Sequence, residues 1–224
     1  MPRQPQPAPD ADRHESPLVQ AAINRTLRDR YDAAAEEIAR IVDAAYRVIE
    51  RTGDVDPRMR DILSEAGLST QAFYRHFPSK DDLLLVLLDD GRRRLAEYLE
   101  HRMEKTRTPP TAIRAWIEGV MAQAIDPGAA ARTRPFLTNL GRLADQHPEA
   151  QQASIDAVVD LLEAAITEAV EDALAESPDP RADALAIYHL TTSAMQTHVL
   201  ARTTPTPAEV KALVRFVDRA LDLA

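Results

Sequence analysis

The sequence predicts an all-α chain, and three observations carry that prediction. Aromatic residues make up only 4% of the 224 residues, and there are only six glycines. A β-sandwich or barrel draws on many aromatic and β-branched residues and on frequent glycine turns, so this composition disfavours it. Apolar residues recur at three- and four-residue spacing through long blocks, which is the period of an amphipathic helix. Between the blocks stand prolines and glycines, the residues that stop helices. Hydrophobic residues at 45% and charged residues at 28% give an ordinary globular balance.

The elements follow in order. Five of the 16 prolines fall within residues 1–17, among Gln, Asp and Ala, and that stretch reads as a disordered Pro-rich tail. From Leu18 the pattern turns helical. Ile38, Ile41, Val42, Ala45, Val48 and Ile49 form an apolar stripe, and Gly53 stops it. Leu18, Ala22, Ile23, Leu27 and Tyr31 continue the stripe upstream, as one extended helix or as a separate short one. Arg25, Arg28 and Arg30 on this stretch read either as a solvated face or as an arm for the minor groove. Asp56-Pro57 opens a second helix, an N-cap residue followed by proline in the first turn, with Met59, Ile62, Leu63 and Ala66 inward and Gly67 at its end. Ser69 caps a short third helix carrying Ala72, Phe73 and Phe77, and Pro78 breaks it. Ser79-Lys80-Asp81-Asp82 is a capping box for a long fourth helix through Leu83, Leu87, Leu95 and Leu99, on which Arg92-Arg93-Arg94 reads by default as surface salt links to Asp89 and Asp90.

Pro109-Pro110 marks the best domain boundary. Beyond it, helices are expected over about 111–126, 129–146, 148–176, 181–203 and 207–223. The chain therefore divides into a tail (1–17), a small helical domain with a possible N-terminal extension (18–85), a connecting helix (86–107) and a larger helical domain (108–224).

Several function classes drop out. There is no cysteine, hence no disulfide, thiolate metal site or cysteine nucleophile. H-E-x-x-H, G-x-S-x-G, E-x-x-H and phosphate-binding glycine loops are absent, so no enzyme activity, metal or cofactor is expected. No apolar run approaches the 18 or so residues of a membrane span. The N-terminus lacks the apolar core of a secretory signal, and a cytoplasmic location is expected. The net charge of −9 is unevenly spread. Residues 1–107 hold 18 basic against 20 acidic residues, and residues 108–224 hold 9 against 16. The N-terminal half is thus near balance, and a basic surface there remains open to nucleic acid.

The informative stretch is Asp61 to Phe77: a short amphipathic helix, a glycine turn and a second short helix. That is the helix-turn-helix pattern, which presents its second helix to the DNA major groove. Gly67 allows the positive φ that ends the first of the two helices, and Leu68 plugs the turn. Phe73 and Phe77, four apart, anchor the second helix and leave Thr70, Gln71 and Tyr74 on its outer face. Gln suits a bidentate contact with an adenine edge and Thr a thymine methyl. Tyr74, His76 and Lys80 suit phosphates, Lys80 at a helix start where backbone N–H groups favour an anion.

Here the sequence resembles the TetR family of transcriptional repressors. The resemblance rests on Ile62, on Ala66-Gly67-Leu68-Ser69, and on Phe73-Tyr74-Arg75-His76-Phe77-Pro78-Ser79-Lys80-Asp81-Asp82-Leu83, and it covers roughly residues 36–85. Two positions depart from the family pattern: Arg58 stands where Thr is usual, and Leu63 where a small residue is usual. The resemblance implies a homodimeric, ligand-responsive repressor that binds double-stranded operator DNA. Arg58, Ser69, Thr70, Gln71, Tyr74, Arg75, His76 and Lys80 then form the DNA face. It also implies an effector pocket within residues 108–203, for which Trp116, Met121, Phe136, Leu140 and Met195 are candidates. The apolar composition of that stretch points to a largely apolar small molecule.

Two final helices carry the dimer expectation. On the first, Leu185, Tyr188, Thr192, Met195 and Val199 form one stripe, while Ala186, Leu190, Ser193, Thr197 and Leu200 form another. Two such stripes exceed what a monomer core needs. With Val210, Leu213, Val217 and Leu221 on the last helix, the second stripe is expected to build a four-helix dimer bundle. The competing readings are a helical small-molecule binding or scaffold protein with a vestigial helix-turn-helix, and an all-α enzyme.

Overall fold

The computed structural model describes residues 16–53, 56–146 and 148–223, with the side chains of 139–146, 150, 151 and 154 outside the description. Regular structure among the described residues is wholly helical. In order the helices are α1 (Pro17–Thr52), α2 (Met59–Ala66), α3 (Thr70–His76), α4 (Lys80–Met103), α5 (Pro109–Ile125), α6 (Pro127–Gln146), α7 (Pro148–Glu171), α8 (Pro180–Ala201) and α9 (Pro207–Ala220).

The prolines that interrupt the sequence pattern also begin the helices. Six of these helices have proline as their first residue. Proline has no N–H to lose in the first turn, and its fixed φ already suits a helix. The expected starts of α5, α6 and α8 are therefore one or two residues late. Pro17 likewise belongs to α1 behind Ser16, while residues 1–15 of the expected tail lie outside the described residues. At α2 the shift runs the other way: Arg58 holds the N-cap position and Pro57 precedes it. The helix expected to reach residue 176 ends at Glu171, where Ala173 takes a positive φ and the Leu174 N–H bonds back to the Ala169 carbonyl at 2.8 Å.

The upstream stripe is one continuous helix with α1. Its 36 residues run about 54 Å. Only the C-terminal part packs, through Ile41, Val42, Ala44, Ala45, Val48 and Ile49. Leu18, Leu27 and Tyr31 on the N-terminal part are 82%, 58% and 75% exposed.

Two apolar cores organise the rest. The first joins α1, α2, α3 and the start of α4 around Ile41, Ile49, Ile62, Phe73, Phe77, Leu83, Leu84 and Leu87. Phe136 of α6 is also part of it. The second joins the end of α4 with α5 to α9 around Leu99, Ile113, Trp116, Ile117, Val159, Leu162, Ile166, Val199 and Val217. Helix α4 is common to both, so a shift of α4 reaches each core.

Candidate nucleic-acid interface and an interdomain cavity

Helices α2 and α3 meet at Gly67, whose φ of 65° is left-handed. The Leu68 N–H bonds to the Leu63 carbonyl at 3.1 Å and closes the turn. Leu63 is buried, and with Met59, Leu68 and Phe73 it borders a shallow depression between the two helices. The larger residue at position 63 is thus accommodated without loss of the turn.

Ser69 caps α3, its hydroxyl accepting from the Ala72 N–H at 3.1 Å. Phe73 and Phe77 stack at 5.3 Å and are buried. Anchored from that side, α3 leaves Thr70, Gln71, Tyr74 and Arg75 exposed. Tyr74 is 59% exposed and meets Phe73 edge-on. Arg58 is exposed at the start of α2.

Two of the expected phosphate contacts are engaged within the protein. The Nε2 of His76 sits 2.6 Å from the Glu37 carboxylate, and Arg75 reaches the same oxygen at 3.3 Å. The His76 side chain is largely buried, so its ring ties α3 to α1 rather than standing open to DNA. The hydrogen bond from His76, and then the charge of Arg75, hold the Glu37 carboxyl below its ordinary value. Lys80 bonds Asp56 from the first residue of α4. That ion pair has to open before the ammonium can turn to a phosphate.

A cavity of about 700 Å³ lies where the two cores meet. That is the size of a drug-like ligand site. Its walls come from α1, α4, α5, α6, α7 and α8. Of the expected pocket residues, Phe136 and Met195 line it. Trp116 and Met121 do not: both are packed into the second core, where the Trp116 indole donates to the Val158 carbonyl at 3.1 Å. The Leu140 side chain lies outside the described residues.

The sequence reading missed the charged part of the wall. Arg92 and Arg94 of α4 line the cavity together with Asp43, Arg47 and Glu50 of α1. The Arg92–Arg94 run reads in sequence as surface salt links, and this holds for Arg93 and Arg94, which bond Asp90 at 3.3 and 2.8 Å. Arg92 points elsewhere. A usable signal existed, since Leu88, Arg92 and Leu95 fall at i, i+4 and i+7 on one helix face. Tyr46 connects the parts: its hydroxyl donates to the Leu87 carbonyl at 2.8 Å, its ring meets Phe136 edge-on at 6.4 Å, and Arg94 lies over it at 5.2 Å. Burial, with Asp90 beside it, pushes the Tyr46 phenol up, so it stays a neutral donor. Arg132 of α6 reaches Glu50 of α1 at 3.0 Å.

The outer face of α8 carries Ala186, Leu190, Ser193, Thr197 and Leu200, all exposed, while Tyr188, Thr192, Met195 and Val199 are buried. On α9 the expected interface is corrected in part. Val217 and Leu221 are buried within the chain's own second core, and Val210 and Leu213 pack partly against it. Phe216, 61% exposed, is the large apolar residue that faces out. Among the described residues no helix is long and apolar enough to cross a membrane, and no group of acidic and histidine side chains has the geometry of a metal site.

A helix-turn-helix with an exposed second helix is joined here, through a long helix common to both cores, to a larger helical part. Residues 41–87 match the family described as bacterial regulatory proteins, tetR family. That segment, which takes in the helix-turn-helix, is thus similar to the DNA-binding domain of the TetR family. The regulator BetI of Brucella anthropi is 34% identical over 77 residues, which are 34% of this chain and 40% of BetI. The regulator EthR of Mycolicibacterium smegmatis is 31% identical over 105 residues, 45% of this chain and 48% of EthR. The chain thus spans less than half the length of these curated relatives. Both are helix-turn-helix transcriptional regulators. Over 86% of the chain the fold is similar to 91% of RolR, solved in complex with resorcinol, with a TM-score of 0.68 and 13% identity.

Proposed function

We propose that this protein is a ligand-responsive transcriptional repressor that binds a palindromic operator as a homodimer. A largely apolar small molecule filling the interdomain cavity releases it. The observation that carries this reading is the cavity wall itself. Asp43, Tyr46, Arg47 and Glu50 belong to the helix that holds the recognition helix through Glu37, while Phe136, Val158 and Met195 belong to the larger domain. An occupant touches both, so it acts on the DNA-binding unit directly as well as through α4. Release then follows only if the occupant favours one domain arrangement over the other.

Thr70 and Gln71 read bases, and Tyr74, Arg75, Arg58 and Lys80 hold phosphates. Two recognition helices about 34–36 Å apart in the dimer fit successive major grooves. The exposed stripe of α8 with Phe216 of α9 supports the dimer, being an apolar surface that the monomer leaves in water. That RolR is solved with an aromatic ligand supports small-molecule control in a fold of this kind. The test is selection of DNA from a random pool by the full chain, followed by a mobility shift on the selected site. Recovery of an inverted repeat supports the reading, and recovery of no preferred sequence overturns it.

A further inference from the structure

We infer that the molecule taken by the interdomain cavity is uncharged, with an apolar body and an alcohol head seated between Thr192 and Gln196 of α8. This rests on the reading of the cavity as the effector site and adds its chemistry.

The guanidinium groups in the wall are already engaged. Arg47 bonds Glu65 at 3.0 Å, Arg94 bonds Asp90 at 2.8 Å, and Arg132 bonds Glu50 at 3.0 Å. Arg92 also has a partner within the chain; burial works against its charge, and the Tyr188 phenol and Asp89 favour it. Among the acidic groups, Glu50 is taken by Arg132, and Asp126 accepts from the Ala129 N–H at 2.6 Å at the start of α6. Asp43 is exposed to water on α1. An anionic occupant would have to displace a partner of the chain from a guanidinium. A cationic occupant would meet only the hydrated charge of Asp43.

The α8 side of the wall is polar without charge. Tyr188, Thr192 and Gln196 lie at i, i+4 and i+8 and form one ridge along the helix. Burial pushes the Tyr188 phenol up, so it stays neutral. Thr192 is buried, and its hydroxyl donates to the Tyr188 carbonyl at 2.6 Å. Its proton is thereby engaged, and its oxygen is left as an acceptor. The Gln196 amide is half-buried and has no hydrogen-bond partner among the described residues. It offers N–H donors one helical turn from the Thr192 oxygen. An alcohol satisfies both: its O–H donates to the Thr192 Oγ1, and its oxygen accepts from the Gln196 amide N–H. Leu88, Leu95, Phe136, Leu137 and Met195 supply apolar wall for the body. A wholly apolar occupant would close the Gln196 amide off from water with no partner in return. An ion would be desolvated among these side chains with no free counter-charge.

The test measures binding of matched straight-chain probes to the full chain by calorimetry at neutral pH: n-alkanols of about eight to ten carbons, their methyl ethers, n-alkanoates and n-alkylammonium ions. The alkanol is expected to bind at least about tenfold more tightly than either ion of equal chain length. It is also expected to bind several-fold more tightly than the ether, which accepts a hydrogen bond but donates none. Thr192→Val removes the acceptor at nearly unchanged volume and is expected to bring alkanol and ether to equal affinity. Gln196→Met removes the donor, so it weakens alkanol and ether together, and it serves where Thr192→Val does not fold. The inference is overturned by an ion that binds as tightly as the alkanol, by equal binding of alkanol and ether in the wild type, by an alkanol preference that survives Thr192→Val, by unchanged affinities in Gln196→Met, or by binding of none of the probes. Adding the same probes to the complex with selected DNA separates the two readings. Alkanol binding without DNA release leaves the alcohol seat standing and removes the effector role. DNA release by all four probes alike removes the alcohol seat and leaves the effector role.

Discussion

Thr70 and Gln71 owe their position to residues that never meet DNA. Phe73 and Phe77 fix the rotation of a seven-residue helix that is too short to be stable alone, and Ser69 satisfies the Ala72 N–H in its first turn. Gln71→Ala is expected to cost about 1–3 kcal/mol on the selected operator and to relax preference at one or two base pairs. Lys80→Ala, by contrast, is expected to weaken all sequences alike and to reduce the salt slope by about one. Measured affinities on matched and mismatched sites at several salt concentrations separate the two effects. Glu37 gives a pH dependence. Its carboxyl is lowered in the folded state, so its stabilising link to His76 and Arg75 is fully present above its ordinary value of 4.5 and fades as pH falls through the lowered one. Glu37→Gln should therefore be less stable to urea than the wild type at pH 5, and that margin should shrink as the pH falls below 4.5. An unchanging margin at acid pH would show that the link does not involve the ionised carboxylate.

At the scale of elements, the contact between α4 and α5 is set by a missing side chain. A Cβ on Gly119 would lie 2.5 Å from the Leu99 Cδ2 and 3.3 Å from the Arg102 Cδ. Leu99 is fully buried in the second core and has little room to turn away. Alanine normally gains about 0.5–1 kcal/mol over glycine inside a helix. Here overpacking is expected to outweigh that gain, for a net loss of about 1–2 kcal/mol. Thermal unfolding of Gly119→Ala checks the sign: a raised midpoint would mean that the two helices have slack. Because α4 carries Leu84 and Leu87 in one core and Leu99 in the other, the same substitution should also alter how a cavity ligand affects DNA binding.

For the whole molecule, burial separates two substitutions that sequence spacing treats alike. Leu200 is 49% exposed on the outer stripe of α8, whereas Val217 is fully buried. A glutamate at 200 meets water in the monomer but would be buried without a partner in a dimer. Leu200→Glu is expected to give folded monomers that lose tight operator binding, since each then reads half a site. Val217→Glu is expected to unfold the larger domain, because an unpaired buried charge costs several kcal/mol. Sedimentation and circular dichroism on both variants decide it. A Leu200→Glu protein that remains dimeric would place the interface on another face.

What the sequence determined by itself were the features governed by neighbours along the chain. The all-helical class, the turn at Gly67, the cap at Ser69, the anchors Phe73 and Phe77 and the two faces of α8 all follow from three- and four-residue periodicity and local backbone preference. The helix starts were misjudged by a residue or two because proline both ends one segment and opens the next. What only the tertiary structure decided were facts about which elements meet. His76 reads as a phosphate contact until α1 brings Glu37 against it. Val217 and Leu221 read as an interface until α9 turns that stripe inward. Trp116 and Met121 read as pocket, and the packing of α5 places them in the core. Arg92 reads as surface charge until α8 closes over its side of α4 and makes it part of a cavity wall. Periodicity says that a helix has a buried side. Which helix covers that side, and whether a gap is left between them, depends on contacts between residues far apart in the chain, and no local pattern encodes them.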